Sequence, residues 1–300
     1  MKSHVLLGLL ALTLVACSKQ TAPPPAESSA PSTTVAQDPA ASSKLDAVLA
    51  AQSDEVKARY AARHPKETLE FFGIKPGMTV VDTLPDRIWY TGMLLDYLGP
   101  QGKVIAADYS PKMWALFGDY APDPKEKVTW TSDFLAEAAS WRGDDDAQLG
   151  AIQYGAIPDE MAGTADVVLL MRAFHHFARM EDEGQYMTQA LGDIKKILKP
   201  GGIVGVEQHR GPEANADAWA SGDNGYLKQS AVIAAFEKAG FELVDKSEIN
   251  ANPKDQPTEK DFVWRLPPSF ATSQKDEALK AKMLAIGESD RMTLRFRKPA

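Results

Sequence analysis

The sequence predicts a doubly wound α/β fold, and three observations predict it. Apolar runs of strand length alternate with helical patterns from Thr79 to Gly240. One run, Ala165–Met171 (ADVVLLM), is nearly continuous in apolar residues, as expected of a strand buried on both faces. Two further strand patterns, Phe241–Ile249 and Arg291–Arg297, close the chain. Connections that carry a helix imply parallel neighbours joined by right-handed crossovers. A sheet built that way has helices on both faces and its ligand crevice at the carboxyl ends of the strands.

In chain order, Leu45, Val48, Leu49 and Val56 recur at helical spacing, and Leu69, Phe71 and Phe72 follow Pro65 before Gly73 stops the run. Residues 43–73 are therefore an N-terminal helical segment. Thr79–Asp82 reads as the first strand, followed by the turn Thr83–Trp89. The next helix carries Met93, Leu94, Tyr97 and Leu98 and ends at Gly99-Pro100. Lys103–Ala107 is the second strand and ends in Asp108. Tyr109-Ser110-Pro111 opens a helix with Met113, Leu116 and Phe117 on one face. Val128–Ser132 reads as a third strand ending in Asp133, and residues 138–162 as a polar surface loop with a solvated run at Asp144–Asp146. After the fourth strand, Met187, Leu191, Ile194 and Ile197 mark a helix whose last turns hold Lys195 and Lys196, which suits the helix dipole. Lys199-Pro200-Gly201-Gly202 stops it before a fifth strand, Ile203–Glu207. Val232, Ile233, Phe236 and Ala239 form another helical face, and residues 250–288 read as an irregular insert.

Composition narrows the function classes. The 300 residues allow one large domain or two small ones. A formal net charge of −8 argues against a nucleic-acid partner, which calls for a basic field, but leaves small cationic ligands open. Cys17 is the only cysteine, so no intramolecular disulfide and no cysteine-based metal site can form. Met1-Lys2 and the apolar run Val5–Val15 form a targeting segment too short to span a bilayer as a helix. The run ends Leu14-Val15-Ala16-Cys17, which resembles the lipobox of bacterial lipoproteins. That resemblance implies a signal peptide over residues 1–16 and a triacylated Cys17. Several acyl chains anchor more firmly than one. Ser18 resembles the outer-membrane sorting pattern, so the expectation is a lipid-anchored protein of the cell envelope facing the periplasm. An ordinary signal peptide with a chance cysteine is the alternative. Residues 17–42, rich in Ala, Pro and Ser with Pro23-Pro24-Pro25, read as a tether, at about 3 Å per residue where polyproline-like.

Four motifs, taken in order, resemble a class I S-adenosylmethionine-dependent methyltransferase from about Arg63 onward. They are VVD with its helix, the strand ending in Asp108, ADVVLLMRAFHHF, and ILKPGGIVGVEQHR. RHPKETLEFFGIKPGMTVVD, Trp89–Thr91 and the ending RFRKP further resemble a group of predicted bacterial methyltransferases, many of them exported. The resemblance implies a Rossmann-like, mostly parallel sheet with an antiparallel last strand, and S-adenosylmethionine as cofactor. It implies Asp108 on the ribose hydroxyls, with Asp82, Pro85, Arg87, Tyr109 and Arg172 around the cofactor. Asp133 would face the adenine amino group. It points to His175 and His209 as catalytic candidates toward a small or envelope-associated methyl acceptor.

Several alternatives stand beside these roles. Asp108 also fits a helix N-cap, Asp133 a plain loop acid, and His175 and His176 structural histidines. A metal held by His175, His176 and His209 is disfavoured, because adjacent histidines seldom ligate one ion together. Trp89 and Tyr90 read as packing aromatics. The family's glycine-rich turn is replaced here by Leu84, Asp86 and Ile88, where glycine would allow positive φ and close backbone approach. Arg87 offers a guanidinium that could offset Asp86 or pair with the cofactor carboxylate. Two functions follow: a methyltransferase-like lipoprotein, or a non-catalytic envelope lipoprotein that keeps only the fold.

Overall fold

The computed structural model describes residues 38–300. Cys17, the signal segment and the tether up to residue 37 lie outside the described residues.

The core is a mixed sheet of β1 (Thr79–Thr83), β2 (Lys103–Asp108), β3 (Gln148–Gln153), β4 (Ala165–Met171), β5 (Leu198–Gly211), β7 (Glu242–Ser247) and β8 (Arg291–Arg297), in the order β3-β2-β1-β4-β5-β8-β7. A short β6 (Leu227–Lys228) pairs with the far end of β5. The first five strands run parallel, and β8 is antiparallel to both β5 and β7. The Rossmann-like expectation, with an antiparallel last strand, holds. Between β1 and β4 the strand order reverses, which is where open α/β sheets form their ligand crevice.

Period-two alternation divides the apolar side chains between two layers. Val80, Val104, Val167 and Leu169 face a layer built by the helices Pro39–Ala51, Pro65–Phe71 and Tyr90–Leu98. Val81, Ile105, Val168 and Leu170 face the opposite layer, which includes Phe174, Leu191, Ile194 and Phe236. In β5, Gly205 leaves room for Phe72, because a Cβ there would lie 2.6 Å from the ring.

Four expectations are corrected. The tether does not reach residue 42: a helix runs over Pro39–Ala51, started by proline in its first turn and capped by Asp38, whose carboxylate accepts from the Ala40 N–H at 2.9 Å. Val128–Ser132 is not a strand. Helices cover Pro124–Val128 and Trp130–Ala138, because Trp130, Phe134 and Ala138 recur every fourth residue and pack together against the sheet. The third strand is Gln148–Gln153, inside the stretch read as loop. It is an edge strand, mostly half-buried, so it lacks the apolar run that marks the inner strands. After Ser110 only one α-turn forms, Pro111–Trp114, followed by a 3-10 segment that Gly118 interrupts at φ 59°; Leu116 is exposed while Met113 is buried. The insert holds a 3-10 turn, Val263–Arg265, and a helix, Glu277–Ile286. It is tied down by the buried pair Arg265–Asp255, at 2.8 Å, and by the Tyr226 hydroxyl donating to Asp255.

Candidate functional site

The turn after β1 keeps a glycine-like backbone without glycine. Leu84 sits at φ 59°, and its N–H donates to the Ala107 carbonyl at 2.8 Å. A left-handed residue with a Cβ costs about 1–2 kcal/mol. The bond to β2 and the packing of the Leu84 side chain against the core oppose that cost. Asp82 is buried and accepts from the Thr91 hydroxyl at 2.6 Å, while the Asp86 N–H donates to the same hydroxyl at 3.1 Å. Burial, reinforced by the charge of Asp86, pushes the Asp82 carboxyl up to about 7. Asp86, Arg87 and Ile88 are exposed and Pro85 is half-buried. The turn folds back onto the next helix so closely that a Cβ on Gly92 would lie 2.1 Å from the Arg87 carbonyl oxygen.

Asp108 ends β2 in full burial, with both carboxylate oxygens engaged by its own chain. Oδ1 accepts from the Tyr109 N–H at 2.8 Å and the Trp114 indole at 2.9 Å, and Oδ2 accepts from Lys127 Nζ at 2.8 Å. The ammonium also lies 4.4 Å from the centre of the Trp114 ring. The N-cap alternative fails here, because Ser110 Oγ caps the following turn by accepting from the Met113 N–H. Tyr109 is buried; its hydroxyl donates to the Ala173 carbonyl and pairs with His176 Nδ1 at 2.9 Å. Asp133 is exposed on the Trp130–Ala138 helix and accepts from the Thr129 hydroxyl. No strand precedes it, so its expected place beside adenine loses its geometric basis.

Beyond β4 and β5 a cavity of about 250 Å³ brings His175, His176, His209 and Arg172 together. Arg172 stands at φ 59°; its N–H donates to the Glu207 carbonyl at 2.6 Å and its Nη1 to Glu207 Oε1 at 2.9 Å. Burial is the largest influence on Arg172 and opposes its charge, but Glu207, Tyr90 and Glu288 together more than offset it and raise the guanidinium above its ordinary value. His175 Nδ1 lies 3.3 Å from Gln208 Oε1, and its buried Nε2 has no hydrogen-bond partner. His209 Nδ1 pairs with Ser289 Oγ at 2.6 Å. Burial lowers all three imidazoles, His175 to about 4, His176 to about 2 and His209 well below its ordinary value. They are neutral at pH 7, and a base of so low a pKa accepts protons poorly there. Among the described residues, no group of three or more His, Cys, Asp or Glu side chains is arranged to hold a metal ion.

The remaining lining comes from residues to which the sequence assigned no role in a site. Arg63 is buried and pairs through Nε with Glu288 at 3.1 Å, and its guanidinium lies 4.6 Å from the centre of the Trp89 ring. Trp264, Leu266, Pro267 and Pro268 of the insert, with Ser289 before β8, complete the cavity. Only folding brings these segments, far apart in sequence, to one place. The single available signal was that Arg63 opens the RHP string.

A family model described as "Methyltransferase domain" matches residues 90–206. The match starts past β1 and its turn. No curated protein matches the chain. Among solved structures, the geranyl diphosphate C-methyltransferase of Streptomyces coelicolor A3(2) is 13% identical, with 84% of this chain and 87% of that chain covered and a TM-score of 0.48. The [4+2]-cyclase SpnF is 17% identical over 80% of this chain and 81% of its own, with a TM-score of 0.47. An S-adenosylmethionine-dependent methyltransferase from Aquifex aeolicus is 14% identical over 85% of this chain and 98% of its own, with a TM-score of 0.46. The strand order, the parallel pairing of β1 to β5 and the antiparallel β8 establish the architecture without them. The chain therefore carries a methyltransferase-domain match over residues 90–206 on a doubly wound, mostly parallel sheet with an antiparallel β8.

Proposed function

We propose that the protein binds S-adenosylmethionine in the crevice beside β1 and transfers its methyl group to an acceptor that is small or associated with the envelope. The observation that carries this reading is the pair of buried strand-end acids, Asp82 and Asp108, on neighbouring strands beside the reversal of strand order. Asp108 would hold the ribose hydroxyls and the Leu84 turn would border the methionine part. The fit has one condition. Lys127 must leave Asp108 Oδ2, which a flexible lysine stem on a short surface helix can do. When bound, the cofactor supplies an electrophilic sulfonium methyl, and the chain's own part is to position the partners and exclude water.

Calorimetry with S-adenosylmethionine and S-adenosylhomocysteine tests the reading. Binding is expected, Asp108→Ala should abolish it, and Lys127→Ala should strengthen it about tenfold by freeing the carboxylate. Absence of binding at about millimolar ligand overturns it.

The second reading, a non-catalytic module on the same fold, draws support from the engagement of both Asp108 oxygens by Tyr109, Trp114 and Lys127. In either case the lipobox-like Leu14–Cys17 supports an envelope anchor through acylated Cys17, most simply on the periplasmic face of the outer membrane. Cys17→Ser should release the protein from the membrane fraction and abolish palmitate labelling; a variant that stays membrane-bound counts against the anchor.

A further inference from the structure

We propose that the cavity under Trp264 is a receptor for a small organic anion, an oxyanion head on a flat apolar body, with Arg63 and Arg172 as the residues that read the head. Charge is the first argument. The ion-pair network that reaches the cavity contains four guanidiniums, Arg59, Arg63, Arg172 and Arg291, against two carboxylates, Glu207 and Glu288; Arg63, Arg172 and Glu288 line the cavity itself. This excess of two positive charges is largely buried, inside a protein whose formal net charge is −8. Excess buried charge without a counter-ion is costly, and a bound anion removes the cost.

Free donors are the second argument. Arg63 spends only Nε on Glu288, and Arg172 spends only Nη1 on Glu207, so each guanidinium retains unpaired N–H groups at the cavity. Guanidinium forks suit carboxylate and phosphate oxygens. Burial and the neighbouring Arg172 lower Arg63 to about 10, as expected of a cation short of counter-charge.

Shape is the third argument. The lining also includes Met171, Val263, Trp264, Leu266, Pro267 and Pro268, which supply apolar and aromatic surface. About 250 Å³ is the space of roughly eight water molecules, which sets the scale of a compact ligand rather than a polymer. The inference does not require the cofactor. If methyl transfer takes place, the ligand held here is the natural acceptor candidate.

The test uses the full chain without S-adenosylmethionine, by calorimetry and thermal melting, with benzoate, phenyl phosphate and neutral methyl benzoate as probes. Benzoate or phenyl phosphate should bind and raise the melting temperature, and methyl benzoate should not. Arg63→Gln and Arg172→Gln should each weaken anion binding about tenfold, with Arg63→Lys partly restoring it. Trp264→Ala should weaken benzoate more than inorganic phosphate. Equal binding of benzoate and its ester, or no binding of either anion by the unaltered chain, overturns the proposal. So does an Arg172→Gln chain that melts like the parent and binds with parental affinity. None of these outcomes depends on whether S-adenosylmethionine binds, so the two readings fail separately.

Discussion

The Asp82 carboxyl shows how a single residue couples the crevice to pH. Its folded value, about 7, lies above the ordinary 3.8 because burial penalises only the charged form. The sign follows from linkage. A raised acid contributes stability that is complete below the unfolded value and is lost as pH rises to the folded value. Asp82→Asn keeps an acceptor for Thr91 and cannot ionise. Its stability should match the parent near pH 4 and exceed it at pH 8 by an amount on the order of a few kcal/mol, read as a higher melting temperature. Melts at both pH values check this, and an equal difference at the two would sink it. Asp82 was visible in the sequence as a strand-end acid. Its raised pKa was not, because that depends on how completely the helix beginning at Tyr90 covers it.

At the scale of elements, packing against neighbours overrode local pattern wherever the two disagreed. The inner strands were legible because burial on both faces demands unbroken apolar runs. The edge strand Gln148–Gln153 was not, since a half-buried edge tolerates glutamine and glycine. Val128–Ser132 is rich in β-formers, yet the four-residue spacing of Trp130, Phe134 and Ala138 places it on a helix against β3. Two predictions belong here. Asp38→Ala should destabilise the Pro39–Ala51 helix by about 1 kcal/mol, read as a lowered melting temperature; an unchanged melt would return residues 38–42 to the tether. Gly92→Ala should cost about 1–3 kcal/mol and weaken any binding of S-adenosylmethionine, because the new Cβ displaces the Arg87 carbonyl and with it the turn. Parental stability and affinity would show that the turn yields freely.

For the molecule as a whole, the family match over residues 90–206 covers less than the fold needs. Leu45 and Leu69 are fully buried and Phe72 nearly so, all against the face of the sheet that carries Val80 and Val167. Burying each contributes about 1.5–3 kcal/mol, against a net stability of about 5–15 kcal/mol for a typical domain. A chain begun at residue 74 should therefore lose cooperative thermal unfolding, followed by circular dichroism. A sharp melt at the parental temperature would show the helical segment to be dispensable.

The sequence by itself determined the alternation of strands and helices, the two strand-end acids and a turn without glycine after the first of them, because each is a local pattern read over a few residues. Tertiary structure alone decided that Lys127 and Trp114 close over Asp108, and that Asp133 is exposed on a helix. It alone assembled Arg63, Arg172, three histidines and Trp264 around one cavity. Those facts depend on burial and charge contributed by segments distant in the chain, and no local period carries them.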